Sequence, residues 1–253
     1  MDMHNFDFIS TTWIIVISAV FVAGFVRGVT GFAQSLILAP ILLLFIDSRS
    51  VVIINILLAT LTNFVMLPFT WRSLEWRKLV PLSTASLLGL PLGAYIIQTT
   101  SPLTLKMLIS WLVIVFAIPL AFGITIKLRR ERLAATICGF LSGFLSTSTS
   151  INGPPVVLFM HNQNWRKDAI YATLNIYFLF LGISSLCLLT IFLGNIISEF
   201  LIGTAYMAPA LLFGLALGRL TFTRINAEFF RLVSILVVIV AGIAGILSGF
   251  GIF

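Results

Sequence analysis

A chain of 253 residues that is 60% hydrophobic, 9% charged and formally +7 reads as an integral membrane protein, because its apolar runs are too long and too frequent for a water-soluble core. That composition excludes a separate soluble catalytic domain. It also reassigns the positive charge: Lys and Arg fall mainly in short segments between apolar runs, which is a topology signal rather than a footprint for nucleic acid.

The first residues, MDMHNFDF, carry acidic side chains and no Lys or Arg, so they lack the basic start of a cleaved signal peptide, and Trp13 onward is read as mature structure. Apolar runs then cover 13–45, 51–70, 79–98, 103–126, 133–161, 170–193, 197–221 and 229–252. About 20 residues make one helical span, so 13–45 and 133–161 are too long for one each. Both are interrupted, the first by RGVTGF at 27–32 and the second by STSTSINGPP at 146–155. Cys138 and Cys187 lie inside apolar runs and read as small buried hydrophobes rather than as a disulfide or metal pair.

The two interrupted segments share a pattern. Gly24, Gly28 and Pro40 have the spacing of Gly139, Gly143 and Pro155; ATLTN (59–63) resembles ATLN (172–175), GLPLG (89–93) resembles GLALG (214–218), and KMLISWLVIVFAI (106–118) resembles RLVSILVVIVAGI (231–243). The chain therefore reads as two related halves, 1–126 and 127–253.

Positive charge sets the orientation. Arg72, Arg77 and Lys78, then Lys127, Arg129, Arg130 and Arg132, then Arg166 and Lys167, then Arg219 and Arg224 mark inner loops. With 127–132 and 165–168 on one side, 133–161 has to enter and leave by the same face, as a hairpin. Its first limb, Leu133 to about Ser146, would span roughly 21 Å against a hydrocarbon core of about 30 Å. By the same logic 13–45 is a hairpin from the outer side. The expected fold is thus an all-α polytopic membrane protein of two inverted-topology repeats, each a broken-helix hairpin plus three spans, with both termini on the periplasmic side. Such repeats place a transport site where the broken helices meet. The alternative is an eight-span bundle with parallel halves and kinks at Pro and Gly.

Irregular backbone at membrane depth has to be covered by protein or water. The second interruption offers the hydroxyls of Ser146, Thr147, Ser148, Thr149 and Ser150, the amide of Asn152, and the N-terminus of a half-helix starting at Pro154 or Pro155. The first offers Thr30, Gln34 and Ser35, and Arg27, whose charge is costly at that depth and would complement an anion. Arg27 could instead reach a headgroup or a structural carboxylate, and the hydroxyl run could instead bond helix to helix. Asn63 and Asn175 either face the site or link helices; Asn55 is a weaker lead of the same kind. His161 reads as an interfacial residue, with a proton relay as its alternative. The eight Asp and Glu sit at the N-terminus and in loops, so the interior suits an anion better than a cation. No phosphate-binding GxxxxGK[ST] and no metal-spaced His/Cys/Asp/Glu cluster occurs; the chain is not read as an enzyme, and no cofactor or metal is expected.

GFVRGVTGFAQSLILAPILLL, GFLSGFLSTSTSINGPPVVLFM and RSLEWRKLVPLSTASLLGLPLGAYI together resemble the sulfite exporter TauE/SafE family, also called the toluene sulfonate uptake permeases, over nearly the whole chain. Asn152 stands where the family more often has Ser. The resemblance implies transport across a bacterial inner membrane of sulfite, sulfoacetate or a related small sulfonate, with direction not inherited. The expected partners are a small anionic substrate and the lipid bilayer, with a homodimer left open and no nucleic acid. In the transporter so implied, Arg27 offsets the substrate charge while Thr30, Gln34, Ser148, Thr149, Ser150 and Asn152 bond its oxygens; a passive anion channel and a non-transporting membrane scaffold are the rivals.

Overall fold

The computed structural model describes residues 11–71, 74–122, 131–161, 167–194 and 196–221. The final expected span, 229–252, and most of the basic loop residues, Arg72, Lys127, Arg129, Arg130, Arg166 and Arg224, lie outside these. Among the described residues the regular structure is entirely helical, in the order α1 (Thr11–Thr30), α2 (Gln34–Leu42), α3 (Ser48–Thr70), α4 (Trp76–Thr99), α5 (Pro102–Phe122), α6 (Glu131–Thr149), α7 (Gly153–His161), α8 (Lys167–Leu193) and α9 (Ile196–Thr221). Five of them, α1, α3, α4, α8 and α9, are long and apolar enough to cross a membrane. The chain is a polytopic helical membrane protein.

Local chemistry sets the helix ends. Asp47 caps α3 by accepting from the backbone N–H of Arg49 and of Ser50, each at 3.0 Å, and it also accepts from the Ser50 hydroxyl. Ser101 caps α5 through the Thr104 N–H at 3.2 Å, with Pro102 in the first helical position, where a missing N–H costs nothing. Pro40, Pro68, Pro81, Pro91 and Pro209 lie inside helices, as neighbouring helices in a membrane allow.

Both long segments are helix, break, helix. In the first, Gly31 has φ +82° after Thr30; in the second, Ser150 has φ +61° after Thr149. The Thr30 hydroxyl oxygen accepts from the N–H groups of Phe32 and Ala33, each at 3.3 Å, and that of Thr149 accepts from Ile151 at 3.5 Å. Shortly afterwards a nine-residue helix begins, at Gln34 and at Gly153. The same device is thus built twice, 119 positions apart (Gly31 to Ser150). The glycine spacing alone suggests 115 (Gly24 to Gly139). A small-xxx-small pattern repeats every four residues, so matching glycines leaves the alignment free to slip by one turn, whereas the left-handed residue does not.

The second break also falls later than the sequence predicts. The α6 helix continues through the hydroxyl run to Thr149 and is 19 residues long, roughly 28 Å rather than 21 Å. Ser148 and Thr149 donate to the carbonyls one turn back, of Phe144 at 2.7 Å and Leu145 at 3.1 Å, so these hydroxyls are satisfied inside a helix.

The helix before each break packs on a partner distant in sequence: α1 lies along α9, and α6 along α4. Both pairs run parallel, because Gly24 faces Leu211 and Gly28 faces Leu215 in one, while Gly139 faces Leu82 and Gly143 faces Ser86 in the other. Glycines on both sides bring backbones together: a Cβ on Gly214 or Gly218 would strike the carbonyl of Phe21 or Phe25, and one on Gly89 or Gly93 that of Phe140 or Phe144. These contacts correspond under the 119-residue offset for the hairpins and an offset of 125 between α4 and α9 (Gly89 to Gly214). Between the pairs, α3 and α8 cross antiparallel, with Thr60 against Gly182, Asn63 against Asn175 and Met66 against Tyr171. Two apolar clusters result, one around each hairpin, and Phe32 touches both.

Candidate functional site

A narrow cavity lies where both breaks meet the α3–α8 crossing. Its wall includes Arg27, Phe32, Gln34 and Ser35 from the first hairpin, Ser146, Ser150 and Asn152 from the second, Asn55, Ile56, Ala59 and Asn63 from α3, and Phe178 and Gly182 from α8. Gly182 leaves room at the crossing, since a Cβ there would strike the Thr60 hydroxyl.

Arg27 occupies the last turn of α1 and is only 4% exposed. One terminal nitrogen donates to Asn63 Oδ1 and, at 3.5 Å, to Asn175 Oδ1. Its guanidinium carbon sits 5.6 Å from the centre of the Phe178 ring, a cation–π geometry. Asn175 is itself held from behind, donating to Asn63 O and Thr70 Oγ1, each at 3.1 Å. Among the described residues the contacts of Arg27 are amides and an aromatic face, with no carboxylate. A buried guanidinium positioned by neutral groups keeps its full charge for something else.

Several other polar atoms of the wall are unpartnered. Gln34 Oε1 accepts from Thr62 at 3.0 Å, but Gln34 Nε2, both side-chain atoms of Asn55 and Ser150 Oγ are buried with no hydrogen-bond partner among the described residues. Four such atoms fall at one cavity, where an unmet polar group inside a protein costs about 1–3 kcal/mol.

Of the residues expected from the sequence, Arg27, Gln34, Ser35, Asn63, Ser146, Ser150 and Asn152 come together at this cavity. Thr30, Ser148 and Thr149 do not line it; their hydroxyls serve the helix ends and the backbone one turn back. Asn175 lies behind Arg27 and orients it. The half-helix α7 begins at Gly153, so Pro154 and Pro155 remove two of the four N–H groups of its first turn; it offers an anion fewer donors than the sequence suggests. The α2 N-terminus has no Pro in its first turn, but its Gln34 N–H donates to Phe32 O at 2.8 Å. Asn55, Ile56, Ala59, Phe32, Phe178 and Gly182 are the wall residues that the sequence ranks low or leaves unmarked. A signal for Asn55 exists: it precedes Asn63 by eight residues, about two turns, in an otherwise apolar stretch. His161 closes α7, and its side chain is outside the described part.

The offset between halves explains why the wall is asymmetric. Under it, Arg27 corresponds to Ser146; Arg27 bonds Asn63 of α3, while Ser146 bonds Ser185 of α8 at 2.8 Å, and Asn63 itself falls opposite Gly182. Asn63 and Asn175, which the ATLTN and ATLN motifs equate, are therefore not equivalent in space. One half supplies the charge and the other supplies hydroxyls.

Neither a curated protein nor a solved structure matches the chain with significant similarity. The family model described as sulfite exporter TauE/SafE matches residues 16–245, which is nearly the whole length. With that match over a polytopic helical frame, the chain belongs to the sulfite exporter TauE/SafE family, a family of membrane transporters.

Proposed function

We propose that the protein is a secondary transporter of a small organic or sulfur oxyanion, most simply a sulfonate such as sulfoacetate or sulfite itself, in a bacterial inner membrane. It works by alternating access around the two breaks. The observation that carries this reading is a buried arginine without a carboxylate among the described residues, on the wall of a cavity that both breaks and both halves enclose. Buried charge in a membrane is costly, at about 2.5–3.5 kcal/mol for an Arg at mid-helix on insertion scales, and it is retained where it binds something.

The helix directions support an inverted arrangement. Parallel α1–α9 and α4–α6 pairs with an antiparallel α3–α8 crossing are what hairpins entering from opposite faces would give. Arg77, Arg132 and Arg219, at the start of α4, the start of α6 and the end of α9, then share one face, as the positive-inside rule asks of the cytoplasmic side. Both termini would be periplasmic.

The test is thermal stability of the purified protein in detergent against sulfite, sulfoacetate, isethionate, taurine, acetate, lactate and sulfate, with Arg27→Ala beside the parent. A ligand at 100 times its Kd adds about 2.7 kcal/mol to stability, a shift of several degrees, which the variant should lose. If no anion of the panel moves the transition, the cavity is not an anion site and the reading fails.

A further inference from the structure

Resting on the reading of this cavity as an anion site, we propose that its ligand is a monoanion, and that an acid with two ionisations, sulfite or sulfoacetate alike, enters it with one proton still attached. Two independent features of the wall lead there. The first is charge. Among the described residues lining the cavity, Arg27 alone is charged, and it is buried with amides and a ring around it. A monoanion makes the occupied site neutral. A dianion leaves one negative charge uncompensated in a low-dielectric interior, the arrangement that buried ions avoid most strongly.

The second is the kind of atom left free. Gln34 Nε2, an amide N–H group, is without a partner among the described residues. Ser150 Oγ can donate or accept. Asn55 has neither side-chain atom partnered, so whichever way its amide is turned it presents one donor and one acceptor. A fully deprotonated oxyanion can only accept, and would leave that acceptor unmet. A singly protonated one brings the O–H the acceptor lacks.

The groups around the cavity do not supply this proton themselves. Between Ser50 and Thr70, α3 carries no titratable side chain, and α2 carries none. On α8 there are Tyr171, Tyr177 and Cys187, with Lys167 and Asp168 at its start, on α6 Cys138, with Glu131 and Arg132 at its start, and on α9 Tyr206 and Arg219, with Glu199 near its start; none of these is among the described residues lining the cavity. The proton would therefore travel on the substrate. Its O–H bond stays intact while the site changes sides, and it is lost to water on the more alkaline side. That couples transport to the proton gradient without a carboxylate in the membrane.

Methanesulfonate and methylphosphonate separate the charge states at nearly constant shape, because the first is a monoanion throughout while the second loses a further proton as pH rises. Calorimetric titration of the full chain in detergent would follow the ratio of the two affinities, so that any titration of the protein cancels. The expected result is tighter binding of methylphosphonate than of methanesulfonate at acid pH, where only the former brings an O–H, and a fall in relative methylphosphonate affinity of about tenfold for each pH unit above its second ionisation. A ratio that stays constant or rises with pH means that the dianion is accepted, and overturns the proposal while leaving the anion site intact. If neither probe binds and no anion of the stability panel does, the underlying reading of the cavity fails with it.

Discussion

At the residue scale, function and stability separate cleanly at two positions. Removing the Arg27 guanidinium leaves Asn63 and Asn175 each short of a donor, a loss of about 1–3 kcal/mol, but it also relieves a desolvated charge of similar cost. Arg27→Ala should therefore unfold within a few degrees of the parent when no ligand is present, yet show no anion-dependent shift. Ser150 combines two roles: its φ of +61° strains an L-residue by roughly 1–2 kcal/mol, and its hydroxyl is free at the cavity. Ser150→Gly relieves the strain and deletes the hydroxyl. It should hold or slightly raise the unfolding temperature while weakening anion binding about tenfold, since a hydrogen bond to a charged group is worth about 1.5–3 kcal/mol. Ser148→Ala is the contrast. Its hydroxyl bonds only its own helix, so binding should stay within about twofold of the parent; a large loss would place Ser148 at the ligand and contradict the geometry.

At the element scale, the crossed helix pairs depend on backbone contact. A methyl group on Gly24 would strike the Leu211 carbonyl, and one on Gly143 the carbonyl of Ser86. These are equivalent positions in the two pairs, so Gly24→Ala and Gly143→Ala should destabilise by similar amounts, about 1–3 kcal/mol or more, as overpacking does. Thermal unfolding monitored by size-exclusion recovery would read this. Gly194 provides the reference, having φ +74° but no described atom within 4 Å of the place a methyl group would take; Gly194→Ala costs backbone strain alone. Unequal losses at Gly24 and Gly143 would mean that the two pairs are not built alike. The glycine repeats that form these interfaces are plain in the sequence. Their pairing is not, because a four-residue pattern does not say which turn faces which, nor that the helix before each break docks on a partner distant in sequence.

At the scale of the whole molecule, the topology itself can be tested. Single cysteines at position 131, which opens α6, and position 167, which opens α8, in a background with Cys138 and Cys187 replaced, should react with a membrane-impermeant maleimide from the same side. A segment 133–161 that crossed once would put them on opposite sides. A cysteine at Ser101, between α4 and α5, should react from the other face. Carrier behaviour has its own signature: proteoliposomes preloaded with substrate should show accelerated uptake of labelled anion by counterflow, which a passive channel does not give.

Membrane residence, the two interruptions, the duplicated pattern and the candidacy of Arg27 were all determined by the sequence itself, because they rest on local quantities: run length, hydropathy, loop charge and the cost of an ion in an apolar stretch. The tertiary structure alone decided which atoms remain free. Thr30, Ser148 and Thr149 look identical in composition to Ser150, and the difference lies in whether a hydroxyl finds a carbonyl one turn back or sits on a left-handed residue. Asn55 gains its place only because α3 crosses α8 at Gly182 beside both breaks. Whether a polar group is satisfied depends on every neighbour within about 3 Å, and neighbours from distant parts of the chain are what folding supplies.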